Sequence, residues 1–106
     1  MTTVATFDIE YVQYLDPEGK LVREDLPEFA QDPARVVEVY KQMSFLRVFD
    51  GKAVNLQRTG KLGTYASCLG HEAAHVSIGT AMHEDDCFAP MYRAYGAQFA
   101  RGVKPR

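Results

Sequence analysis

The sequence predicts an α/β fold, mostly helical with a small β-hairpin at its N-terminal end, on three observations. Apolar and polar residues alternate through Phe7, Ile9 and Tyr11 and run into the turn residues Asp16, Pro17, Glu18 and Gly19. Apolar side chains then recur at three- and four-residue steps from Val36 to Val54. Finally, the short run Cys87, Phe88, Ala89 falls between two helical segments. A period of two marks a half-buried strand and a period near 3.6 an amphipathic helix, while a short apolar run bounded by turn signals fits a buried strand.

The first strand of the hairpin is predicted over residues 6–15, with Leu21 and Val22 returning as a short second strand. A lone hairpin is marginal in water, so this one is expected to pack on another surface. Residues 23–31 read as a connecting arm whose Leu26 and Phe29 dock on a neighbour. The first helix is predicted over about 32–59, because Asp32 is a good cap and Pro33 suits the first helical position. Gly60, just after Arg58, suits its stop. The stripe on this helix comprises Val36, Val39/Tyr40, Met43, Leu46, Phe49/Asp50 and Ala53/Val54. Residues 60–70 contain three glycines and read as a loop whose backbone can closely approach a ligand or another element. A second helix, over about 70–82, carries small residues at Ala73, Ala74, Ser77, Gly79 and Ala81, which let a neighbour pack tightly. The acids at 84–86 form a loop, Pro90 to Arg93 turn after the short strand, and a third helix runs through about Phe99. Two regions result, an N-terminal hairpin and arm over 1–31 and a helical region over 32–106.

Composition narrows the function classes. A chain of 106 residues accommodates one compact domain, and 46% apolar with 25% charged residues is ordinary for a globular protein. Residues 1–32 carry eight acids against Lys20 and Arg23, whereas residues 87–106 carry Arg93, Arg101, Lys104 and Arg106 with no acid. The basic segment suits a small anionic ligand and is too short and sparse for nucleic acid. No apolar run is long enough to span a bilayer, and the N-terminus lacks the basic start and apolar run of a signal peptide. With only Cys68 and Cys87, the chain is expected to be cytoplasmic with reduced thiols.

His71, Glu72, Ala73, Ala74 and His75 spell His-Glu-x-x-His, the helical pattern in which two imidazoles hold zinc and the glutamate activates water. A zinc metalloprotease also needs a third ligand. The metzincin positions for glycine and histidine are Ile78 and Ala81, with Gly79 and His83 out of register. No glutamate follows Glu84, so the thermolysin-like third ligand is missing as well. A five-residue pattern with three fixed positions recurs by chance, and the zinc reading is the weaker one. A non-catalytic interaction module, gripping a partner with the long helix and the arm, is a further alternative.

Three stretches carry a resemblance. Lys41 to Asp50 leads into Lys52 to Ala66, which contains Arg58-Thr59-Gly60-Lys61-Leu62-Gly63-Thr64-Tyr65. Gly70-His71-Glu72-Ala73 is followed by Val76, Ile78 and Gly79 and an acidic loop. Phe88-Ala89-Pro90-Met91-Tyr92-Arg93-Ala94-Tyr95-Gly96 runs on to Arg101-Gly102. In this order and spacing the chain resembles the alpha subunit of thiamine-diphosphate-dependent 2-oxo acid dehydrogenases, most of all the pyruvate type. The resemblance begins at about residue 7 and includes the acidic hairpin.

That resemblance implies the N-terminal portion of a thiamine-diphosphate-binding fold, with residues 32–106 forming the incomplete start of the cofactor domain. It implies oxidative decarboxylation of pyruvate, or of a branched-chain 2-oxo acid, with the acyl unit passed to a lipoyl group. Thiamine diphosphate and Mg²⁺ are the implied cofactors of the complete subunit. The implied partners are a beta subunit, in an assembly of two alpha and two beta chains, and a lipoyl acyltransferase core. Tyr92 and Arg93 fall on the family's Tyr-Arg pair that touches the diphosphate. No catalytic residue is implied within this stretch.

The sequence departs from the family at two places. Ala66 stands where some members carry a histidine near the cofactor, and His71 replaces the usual glutamine of Gly-Gln-Glu-Ala. Glu72 is expected to be structural, because the carboxylate that activates the cofactor comes from the beta subunit. The Gly-Asp-Gly segment that holds Mg²⁺ in the family does not occur before Arg106. The chain by itself is therefore expected to bind the cofactor very weakly and to turn nothing over, and, because its small-residue helix would normally be buried against a sheet, to self-associate or rearrange.

Overall fold

The computed structural model describes residues 1–105 and divides into two compact units, Met1–Asp32 and Pro33–Arg106.

In the first unit the expected hairpin is reduced to its turn. The Asp16 carboxylate accepts the amides of Glu18 (3.0 Å) and Lys20 (2.7 Å), and Gly19 adopts φ 80° to close the loop. Beyond it, a single antiparallel bridge joins Leu15 and Leu21, with the Val22 amide donating to the Tyr14 carbonyl at 3.0 Å. No ladder continues along residues 6–13, and Phe7, Ile9 and Tyr11 are exposed. The alternation was a real pattern but supplies no stability until its apolar face is covered. The connecting arm ends in a 3₁₀ turn, Glu28–Gln31.

The second unit contains α1 (Pro33–Arg58), α2 (Glu72–Ala81) and α3 (Tyr95–Ala100). Pro33 does open α1, where its missing N–H goes unneeded. At the other end Gly60 takes φ 71°, so the Gly60 amide reaches the Gln57 carbonyl (3.0 Å) and the Lys61 amide reaches that of Leu56 (2.9 Å). This paired closure satisfies carbonyls that the last turn would leave orphaned.

The core sits where the three helices meet. Leu46, Cys68 and Val76 are its buried centre, with Val39, Met43, Phe49, Tyr95 and Phe99 packed around them. Burial of a Leu or Val side chain contributes about 1.5–3 kcal/mol. Phe49 stands at the junction, edge-on to Phe99 at 4.8 Å and to Tyr65 at 6.3 Å between ring centres. α2 and α3 approach through backbone: a Cβ on Gly79 would lie 2.5 Å from the Ala97 carbonyl oxygen. The stripe on α1 is covered only from Val39 onward, leaving Val36 and Tyr40 exposed.

Two further expectations need correction. The regular elements of the second unit are all helices, and no strand occurs among the described residues, so the β part of the predicted α/β class is absent. Residues 87–89 form no strand: Cys87 is exposed and has no partner strand to pair with. Among the described residues no helix is long and apolar enough to cross a membrane.

Candidate functional site

Residues 60–71 have no regular structure of their own and are fastened by a carboxylate from α1. Asp50 is only 3% exposed. Its Oδ1 accepts the Tyr65 hydroxyl and the Cys68 amide, each at 2.8 Å, and the Cys68 thiol at 3.4 Å. Its Oδ2 accepts the Ser67 hydroxyl at 2.7 Å. Burial pushes this carboxyl up, but the converging donors outweigh it and hold Asp50 below the ordinary carboxylate range. The same contacts act oppositely on the donors. Burial, then the bond to Asp50, pushes the Cys68 thiol up to about 11 and raises the Tyr65 phenol as well. Cys68 is accordingly a packed thiol and not a nucleophile.

A second buried carboxylate opens α2. Glu72 is 5% exposed, accepts the Arg47 guanidinium through Oε1, and accepts the Gly70 amide through Oε2 at 3.0 Å. The Arg47 bond leads in holding its carboxyl below the usual value. Glu72 thus ties α2 to α1 and closes the turn at Gly70, whose φ of 88° suits glycine.

That commitment bears on the His-Glu-x-x-His pattern. His71 and His75 do lie together, with ring centres 5.3 Å apart, but the intervening carboxylate is occupied by Arg47. Among the described residues no group of three or more His, Cys, Asp or Glu side chains is placed to hold a metal ion. His75 is partly buried, and its Nδ1 has no hydrogen-bond partner. Burial, then the charge of His71, lowers its pKa.

Tyr92 and Arg93 sit in the turn before α3 and are brought together. Arg93 Nη2 donates to the Tyr92 hydroxyl at 2.9 Å, and the guanidinium carbon lies 5.1 Å from the centre of the Tyr92 ring. Arg93 Nη1 donates to the Ser67 carbonyl at 3.4 Å. The phenol accepts from the arginine and keeps its own proton to donate, and its ring is exposed. A positive fork beside a neutral donor is suited to an anionic oxygen, above all a phosphate.

Arg101, at the end of α3, reaches the other loop. Its guanidinium donates to the carbonyls of His83 (2.9 Å), Glu84 (3.3 Å) and Asp86 (3.0 Å), which fixes the acidic turn. Sequence reasoning missed the Asp50 hub, the Arg47–Glu72 pair and the Ser67 carbonyl. A lone acid within the apolar stripe of α1 was the one available signal for the first of these.

Comparison with known proteins identifies the family. The family model described as "Dehydrogenase E1 component" matches residues 40–106. The 3-methyl-2-oxobutanoate dehydrogenase subunit alpha of Mycobacterium tuberculosis is 36% identical over 103 residues, covering 92% of this chain and 27% of that protein. The pyruvate dehydrogenase E1 component subunit alpha of Staphylococcus epidermidis is 36% identical over 85 residues, covering 79% of this chain and 22% of that protein. The chain thus spans about a quarter of the length of these relatives. No solved structure matches. With more than half of its residues inside the family's pattern, the chain belongs to the dehydrogenase E1 component family and matches a fragment of an alpha subunit.

Proposed function

We propose that this chain is part of the alpha subunit of a thiamine-diphosphate-dependent pyruvate dehydrogenase, with Tyr92 and Arg93 as its contact to the cofactor diphosphate. The observation that carries the reading is the Tyr92–Arg93 pair, braced on the Ser67 carbonyl within the stretch that matches the family. Its donors fit a phosphate. The metal is another matter: among the described residues no group of three or more His, Cys, Asp or Glu side chains is placed to hold Mg²⁺, and no step is assigned to it here. Residues 32–106 would form the start of the cofactor domain.

When bound, thiamine diphosphate supplies the carbanion chemistry that decarboxylates a 2-oxo acid. The contribution of this chain is binding and orientation. Arg93 offers charge-assisted hydrogen bonds to a phosphate oxygen, and Tyr92 adds a neutral donor at the same point. Glu72 moves no proton in this reading, being held by Arg47 and the Gly70 amide. The complete subunit would work in the cytoplasm with a beta subunit, two of each, and deliver the acyl unit to a lipoyl acyltransferase core.

A branched-chain 2-oxo acid is the second reading of the substrate. The Mycobacterium relative, named for 3-methyl-2-oxobutanoate, matches more of this chain than the Staphylococcus relative does at equal identity. Preference for pyruvate rests on the Arg58–Ala66 run and the acidic turn at Asp16. Turnover of pyruvate against 3-methyl-2-oxobutanoate by the assembled enzyme separates the two.

The site itself is tested by R93A in a complete alpha subunit carrying this stretch. A lost hydrogen bond to a charged group, about 1.5–3 kcal/mol, should weaken cofactor binding roughly 10- to 150-fold. Unchanged affinity would refute the assignment. Calorimetry on the 106-residue chain alone should find binding weaker than micromolar, and co-purification with a beta subunit without any cofactor binding would favour an interaction module.

A further inference from the structure

We infer that Asp50 is a positioning residue for the Tyr92–Arg93 pair, acting through the peptide unit between Ser67 and Cys68. This rests on the reading of that pair as an anion contact. The C=O and N–H of a trans peptide point in opposite directions across a rigid plane. Here the Cys68 N–H is bound by Asp50 Oδ1 at 2.8 Å, and the Ser67 C=O of the same plane accepts Arg93 Nη1 at 3.4 Å. Fixing one end of the plane therefore aims the other. Asp50 sits on α1, so the orientation of the arginine acceptor is referred to the longest helix of the unit and not to the loop alone.

A core position of this kind is normally filled by an apolar residue, since burying a carboxylate is unfavourable unless every lone pair is bonded. Asp50 meets that condition with donors from Tyr65, Ser67 and Cys68, all from one irregular segment. A leucine there would bury apolar area but leave the 67–68 plane free to turn. Tyr65 adds a second tether, because its ring stacks on Tyr95 at 5.2 Å and 14°, two residues beyond Arg93. Both sides of the arginine are thus referred to the same carboxylate.

Isotope-labelled 106-residue chain provides the test, with rotation of the Arg93 guanidinium and its shift on adding inorganic pyrophosphate as readouts. In D50A the guanidinium, left with only its Tyr92 contacts, should rotate faster than in the wild-type chain, and the apparent pyrophosphate affinity should fall about tenfold, while Leu46 and Val76 methyl signals report an intact core. D50N keeps an acceptor for the Cys68 amide and should restore both readouts to within about twofold. The Y65F/S67A double variant removes the two hydroxyl donors and spares the Cys68 amide and thiol, so it should leave Arg93 rotation as in the wild-type chain; this arm stands even where D50A fails to fold. Arg93 rotation as slow as wild type in folded D50A, or faster rotation in Y65F/S67A, overturns the inference. Absence of any pyrophosphate response in the wild-type chain instead overturns the anion reading, and the rotation measurement still decides the positioning role.

Discussion

The same substitution, glycine to alanine, should move stability in opposite directions at two helical positions. At Gly79 on α2, a Cβ would stand 2.5 Å from the Ala97 carbonyl oxygen, 2.9 Å from Ala97 Cα and 2.7 Å from Ala100 Cβ. Two of those atoms are backbone, so α3 as a whole must yield. Overpacking of this sort costs about 1–3 kcal/mol, against which the better helix propensity of alanine returns about 1 kcal/mol. At Gly51 on α1 nothing lies within 4 Å of the added methyl, so propensity acts alone. G79A should therefore destabilise by up to about 2 kcal/mol and G51A should stabilise by about 1 kcal/mol. For a domain of 60–100 residues each kcal/mol shifts the melting midpoint by roughly 4–8 °C. Thermal and urea unfolding followed by far-UV circular dichroism would show a lowered midpoint for the first and a raised one for the second. A G79A midpoint at or above wild type would refute the claim that α2 and α3 meet through backbone at that point.

Acid should unfold the second unit in two stages. Lowered pKa values mean that a group's protonation is resisted by the fold, so its contribution is present above its ordinary pKa and is lost as pH falls. His75 acts first, below its ordinary pKa of about 6.5, because burial and the neighbouring His71 charge disfavour its imidazolium. Glu72 and Asp50 follow below about 4, and urea midpoints measured against pH should flatten there in D50N and E72Q but not in H75Q. Thiol alkylation should distinguish the cysteines: the exposed Cys87 reacts in the native protein, while Cys68, buried and raised to about 11, reacts only in denaturant, as adduct masses would show. Two adducts under native conditions would contradict the Cys68 environment.

What was legible in the sequence is what local chemistry decides. Pro33 opening a helix and Gly60 closing one depend on a missing amide and a positive φ, both properties of single residues. The face of α1 was equally readable from Val39 to Ala53 by spacing alone. The hairpin was misjudged because alternation at Phe7, Ile9 and Tyr11 states which face would be buried without supplying the surface that buries it. Asp50 was absorbed into the apolar stripe, since its partners lie 15–18 positions away in a loop with no period of its own. Arg47 and Glu72, 25 positions apart, were invisible for the same reason. The Tyr92–Arg93 pair drew attention through family order, and its anchorage on a main-chain oxygen leaves no trace in residue types.

Leu46 and Gly96 restrict each other in space. A side chain at 96 would collide with Leu46 Cδ2 at 2.5 Å and with His75 Cβ at 2.8 Å. Shortening Leu46 would relieve the first of these collisions and leave the second, which comes from α2 itself. Position 96 is thus closed from two helices at once, and the start of α3 can lie against α1 and α2 only while that position stays bare.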